Sequence, residues 1–150
     1  MANVIGMRFV YHDGGRTAAG YNGKAGDCVT RSIAIATGLP YAEIHRVLAE
    51  GTGKQRRSKR TEKRGTTADR GINVGRVWFK DYMASLGFRW TPTMHIGQGC
   101  KVHLRADELP RGPLVVSVSK HFTCVIDGVI YDTHNPDRDG NRCVYGYWSK

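Results

Sequence analysis

The chain has 150 residues, 40% of them hydrophobic, with three tryptophans, four cysteines and a formal net charge of +10. That length and apolar content predict a single domain over residues 1–150 with a real core, and exclude a disordered chain. No stretch approaches the roughly 20 apolar residues of a membrane-spanning helix, and the N-terminus lacks the charged start and apolar run of a secretory signal, so no membrane partner is expected.

Residues 4–11 read as a short strand or extended arm, turned by Asp13-Gly14-Gly15 into a Gly- and Ala-rich loop over residues 16–26. The next stretch, Gly26-Asp27-Cys28-Val29-Thr30-Arg31-Ser32-Ile33-Ala34-Ile35-Ala36-Thr37-Gly38, is a small-residue loop feeding a short helix. Val29, Ile33 and Ala36 fall on one helical face, and Gly38 and Pro40 end the element. Cys28 then lies in the first helical turn, beside free backbone N–H groups and the positive end of the helix dipole, a setting that favours a thiolate. A packed, inert cysteine is the alternative.

A second helix is predicted over Tyr41–Glu50, with Tyr41, Ile44, Val47 and Leu48 on its apolar face, Pro40 at its first turn and Gly51 closing it. From about residue 51 to 71 apolar periodicity vanishes. Within Lys54–Arg64, the basic residues Lys54, Arg56, Arg57, Lys59, Arg60, Lys63 and Arg64 stand against the single acid Glu62, so that run alone supplies +6 of the +10. It reads as an exposed basic loop: a solvated insertion, or a contact surface for nucleic acid or an acidic protein. With no aromatic in the run, stacking on single-stranded bases has no support. Asn73 is the expected cap of a third helix reaching Leu86, with Val74, Val77, Trp78, Tyr82 and Leu86 inward.

After Gly87 the pattern turns to strands. Candidates are Phe88–Thr93, Lys101–Arg105, Leu114–Ser119, His121–Ile126, Val129–Thr133 and Cys143–Trp148, with Asp127-Gly128 as a two-residue hairpin turn. Helices first and an antiparallel sheet second make an α+β fold. The turn fixes a register: Cys124 faces Tyr131, Thr123 faces Asp132, and His121 becomes a diagonal neighbour of Asp132 on the same side. Asn135 falls on the other face and is the lesser candidate for the histidine's partner. His134 sits opposite His121, as a bystander or a partner base.

Cys28, His121 and Asp132 thus offer a nucleophile, a base and an orienting acid, and Asn22, six residues before Cys28, offers an amide for an oxyanion. On these residues, and on the run His-Phe-Thr-Cys-Val-Ile-Asp with its following Asp-Thr-His-Asn-Pro, the chain resembles the papain-like cysteine peptidase superfamily. Within it the chain is most similar to bacteriocin-leader peptidases and to compact phage and prophage proteins. The similarity covers about residues 20–40 and 114–148. It implies a papain-like fold, a Cys28–His121–Asp132 triad with Asn22 and the Cys28 N–H as oxyanion donors, a peptide or protein substrate, no cofactor, and a bacterial or phage-infected cytoplasm. Asn22 stands where the family carries glutamine, and no glycine follows Cys28, so recognition of a Gly-Gly motif does not transfer.

Two other readings compete. One retains the fold as a non-enzymatic binding protein whose working surface is the basic loop. The other is a metal site built from His95, Cys100 and His103, or from Cys124, His134 and Cys143; no tight ligand pair such as Cys-x2-Cys occurs, and no metal is expected. His12 and His45 read as structural or exposed. The wide cysteine spacing leads to the expectation of reduced thiols.

Overall fold

The computed structural model describes residues 7–20, 27–54, 74–95 and 97–150. Among them the chain is α+β, with three α-helices and one six-stranded mixed sheet. In chain order the elements are β1 (Arg8–Tyr11), α1 (Cys28–Thr37), α2 (Tyr41–Lys54), α3 (Val77–Ser85), β2 (Arg89–Pro92), β3 (Pro113–Val118), β4 (His121–Ile126), β5 (Val129–Asp132) and β6 (Val144–Ser149). The strands lie side by side in the order β1-β5-β4-β3-β6-β2. No helix of the described residues is long and apolar enough to cross a membrane.

Both faces of the sheet are covered, which explains the nearly unbroken apolar run of β3. On one face Val115, Cys124 and Trp148 pack under Val29 and Ile33 of α1, Ile44 and Leu48 of α2, and Phe79 and Met83 of α3. On the other, Leu114, Val116, Val125 and Ile130 pack against Leu104 of the long β2–β3 connection and Met7 before β1. A strand buried on both faces has no polar side to alternate with.

Several sequence expectations are corrected. The sheet is not wholly antiparallel: β1 runs parallel to β5, Arg8 opposite Val129 and Tyr11 opposite Asp132. A hairpin forces neighbouring strands to oppose, whereas β1 is separated from β5 by all three helices and is free to run with it. Lys101–Arg105 forms no strand; it contributes one isolated bridge, His103 to Cys143. The first helical residue of α3 is Val77, after Arg76, while Asn73 lies outside the described residues. Its buried face carries Phe79 and Met83, with Val77 71% exposed. The residues Val77, Trp78, Tyr82 and Leu86 share a helical spacing, but Phe79 and Met83 fill the centre of the contact and rotate the helix accordingly.

Gly51 does not close α2, which continues to Lys54. It is instead the place where the Trp78 ring lies on the helix: a Cβ there would stand 2.4 Å from Trp78 Cε3. Glycine costs helix stability, and here that cost is exchanged for close approach of α2 and α3. The cysteines are not all reduced. Cys100 and Cys143 form a disulfide with Cα atoms 5.8 Å apart. Tertiary register brings them together, because Leu104 N–H donates to Arg142 O and Val144 N–H to Val102 O, each at 2.8 Å. Spacing along the chain carried no sign of that ladder.

Candidate active site

The first helix is built as its sequence suggests. Val29, Ile33 and Ala36 are buried, and Gly38 ends the helix in the left-handed region at φ 74°, its N–H donating to Ala34 O. Cys28 is the first helical residue and is partly exposed.

The β4–β5 hairpin supplies the other two groups. Asp127 (φ 48°) and Gly128 (φ 80°) both take positive φ, the requirement of a type I′ turn. Ile126 therefore pairs with Val129, Val125 with Ile130 and Cys124 with Tyr131. Continuing that register to the open end, the His121 and His134 rings meet with centroids 4.8 Å apart. His121 Nε2 lies 2.7 Å from Asp132 Oδ2, the diagonal contact expected from the turn.

Cys28 lies near enough to the same imidazole to help hold its proton. Three residues from an early helix tip and a late hairpin thus converge, at the end of the sheet where β1 and β5 finish and β4 begins. Burial alone would drive the proton off His121, but its hydrogen bonds to Asp132 and Cys28 outweigh this and push its pKa up to about 9. Asp132 is 3% exposed. Burial would raise its carboxyl, yet the His121 hydrogen bond and charge hold it below the ordinary range. Its other oxygen accepts the Thr133 N–H at 2.7 Å.

Asn135 is engaged elsewhere, its Oδ1 accepting the Asp137 N–H at 3.0 Å. Asp132 is therefore the histidine's partner, in line with the hairpin register. Asn22 lies outside the described residues, as do Arg56, Arg57, Lys59, Arg60, Lys63 and Arg64; Lys54 is the last residue of α2.

The sequence reading missed a charged cluster beneath the site. Asp27, 1% exposed, accepts the Tyr41 hydroxyl at 2.6 Å and pairs with Arg16 Nε at 3.0 Å. It also pairs with Arg31 one helical turn on, and Arg31 Nη2 lies 3.7 Å from Asp132 Oδ1. Arg31 thereby links the carboxylate before Cys28 to the carboxylate bonded to His121. The Asp27–Arg31 spacing of four residues was the available signal.

Each of the two ligand sets weighed and not favoured in the sequence loses a cysteine to a disulfide. Cys100 and Cys143 are joined to each other, and the His103 ring meets Glu108 at 3.2 Å. His12 Nδ1 accepts the Gly14 N–H at 2.9 Å, and His45 lies against the Tyr41 ring. One group among the described residues does bring three ligand atoms within 4.8 Å of one another: His121, Asp132 and His134.

Comparison of the chain with protein-family models, with curated proteins and with solved structures finds no match in any of the three. The residues and their geometry are what a functional reading stands on.

Proposed function

We propose that this is a papain-like cysteine hydrolase acting on peptide or isopeptide bonds through a Cys28–His121–Asp132 triad. The observation that carries the reading is a single imidazole bonded to a buried carboxylate, with the Cys28 thiol near enough to act on the same ring. A thiol of ordinary reactivity needs a base to take its proton, and that base needs a third group to fix its tautomer and balance the charge it acquires. A helix carrying its cysteine at the N-terminus and packed on a sheet that carries the histidine and the acid also supports the papain-like fold.

In the reaction His121 takes the Cys28 proton and the sulfur attacks the substrate carbonyl carbon. The tetrahedral oxyanion sits at the start of α1, where the first-turn N–H groups, that of Cys28 among them, have no partner within the helix and the helix dipole favours negative charge; Asn22 is the proposed second donor. His121 then protonates the leaving nitrogen as the C–N bond breaks, leaving a thioester. Water, deprotonated by His121, hydrolyses that thioester to the acid and returns the thiol. Asp132 holds the ring throughout. Transfer of the acyl group to an amine in place of water uses the same groups.

The rival reading, a basic binding protein on the same fold, rests on the charge of Lys54–Arg64 in the sequence. Alkylation by iodoacetamide near pH 7, followed by peptide mapping, separates the two. Cys28 is expected to react at least tenfold faster than free cysteine, with His121→Ala removing that advantage. Cys28 reactivity equal to free cysteine, unchanged in His121→Ala, would sink the hydrolase reading.

A further inference from the structure

We infer that the open end of the β4–β5 hairpin is also a binding site for a divalent transition-metal ion of the zinc class, held by His121, Asp132 and His134, and that the bound ion silences Cys28. The metal site stands on geometry alone; the silencing rests on the cysteine-hydrolase reading.

Two imidazoles and one carboxylate, with ligand atoms all within 4.8 Å, make a donor set suited to zinc and its neighbours rather than to calcium or magnesium. Zinc bonds of about 2.0–2.1 Å in a tetrahedron put donors about 3.3 Å apart. His121 Nε2 and Asp132 Oδ2, now at 2.7 Å, need only open slightly to admit the ion between them. His134 is exposed, and its ring already lies against that of His121 at an angle of 46°. A modest rotation brings it in with little loss of packing. Three protein donors leave a fourth position for water, the pattern of an open site. Asp132 is pre-set for the role, because the Thr133 N–H occupies Oδ1 and leaves Oδ2 facing the histidines. Arg31, 3.7 Å from Oδ1, opposes a cation and keeps the affinity below that of a structural zinc site.

The consequence for Cys28 follows from imidazole chemistry. A ring metallated through Nε2 carries its one proton on the other nitrogen, so it has no lone pair left to accept the thiol proton. The ion also displaces the hydrogen bond by which Asp132 orients the ring. Metal binding and thiol activation therefore compete for one imidazole, and His134 tips the balance without belonging to the triad.

The test uses the full, tag-free chain and zinc chloride alone. In Cys28→Ser, calorimetric titration is expected to show one zinc per chain, with at least tenfold weaker binding when His134→Ala is added. In the wild-type chain, saturating zinc is expected to slow iodoacetamide labelling of Cys28 at least tenfold, while in His134→Ala the same concentration slows it less than twofold. His134→Asn, with a urea midpoint to check folding, guards against a merely misfolded variant. No zinc uptake by Cys28→Ser, or full affinity without His134, overturns the site. Slow Cys28 labelling in the absence of zinc would instead count against the hydrolase reading and leave the calorimetric result standing.

Discussion

Cys28 and Cys124 are the free thiols among the described residues, and both lie on elements that touch Asp132. Their surroundings separate them. Cys124 sits in mid-strand under α1 with no exposure, and burial first, then the nearby Asp132 charge, pushes its pKa up to about 12. Roughly one molecule in 10⁵ would carry that thiolate at pH 7. Cys28 is at a helix start, partly exposed, with an imidazole between its sulfur and the same aspartate. The carboxylate bears directly on the thiol at one position and, in the proposed mechanism, acts through a histidine at the other. Where the residue stands on its element decides which.

The buried charge cluster offers the strongest way to break this contrast. Asp27→Asn removes the carboxylate shared by Arg16, Arg31 and Tyr41, taking one counter-charge from two guanidinium groups only 12–13% exposed. Stripping one partner from a buried pair costs about 3 kcal/mol. The urea midpoint should fall accordingly, and labelling of Cys28 should slow as the first turn of α1 loosens, with Cys124 still unlabelled in the folded chain. An unchanged midpoint would mean that the cluster is not holding the helix start.

The site was legible wherever local chemistry dictated it. Asp127-Gly128 demands a turn with two positive φ values, that turn dictates register, and register alone brings His121 to Asp132. The cap at Gly38 and the stripe of Val29, Ile33 and Ala36 were equally local. What escaped was set by contacts distant along the chain. Gly51 looked like a helix stop because its partner, the Trp78 ring, lies 27 residues on. The inward face of α3 depended on which side chains, Phe79 and Met83, met the sheet. The disulfide depended on a ladder between the β2–β3 connection and the start of β6. Asp27 was visible as a residue, but its three side-chain partners, Arg16, Arg31 and Tyr41, converge from separate segments.

The pH dependence of stability is a gentler probe of the same triad. His121 holds its proton more tightly folded, near pH 9, than at its ordinary 6.5. Its contribution is therefore complete below pH 6.5 and is lost as the pH rises through about 9. Asp132, held low, works in the other direction, contributing above its ordinary value of 3.8 and losing that only as the pH falls through its folded, lower value. Between about pH 7 and pH 10 the wild-type chain should lose on the order of 2 kcal/mol, measured by urea unfolding. His121→Ala should lessen that slope most below pH 9, the remainder above it coming from Cys124, whose thiol is also held protonated in the fold. A wild-type profile already flat over this interval would deny the histidine its bond to Asp132.

The smallest expected effect concerns the seal over Cys124. Gly146 in β6 lies under Trp90, which in turn packs on Trp148 of the cluster that encloses Cys124. A Cβ at Gly146 would stand 2.3 Å from Trp90 Cζ2 and 2.9 Å from the Thr91 carbonyl oxygen, whereas the three atoms nearest one at Gly51 all belong to the Trp78 ring. A ring can swing aside; a paired backbone carbonyl in the adjoining strand cannot. Gly146→Ala should therefore cost about 1–2 kcal/mol, within the usual range for overpacking. Gly51→Ala should cost less, because alanine recovers up to about 1 kcal/mol of helix propensity. Of the two, Gly146→Ala should also admit measurable labelling of Cys124 while Cys28 reacts as before. Equal cost at both glycines, with Cys124 still closed, would show that β2 yields as readily as a side chain and that Trp90 is no part of the seal.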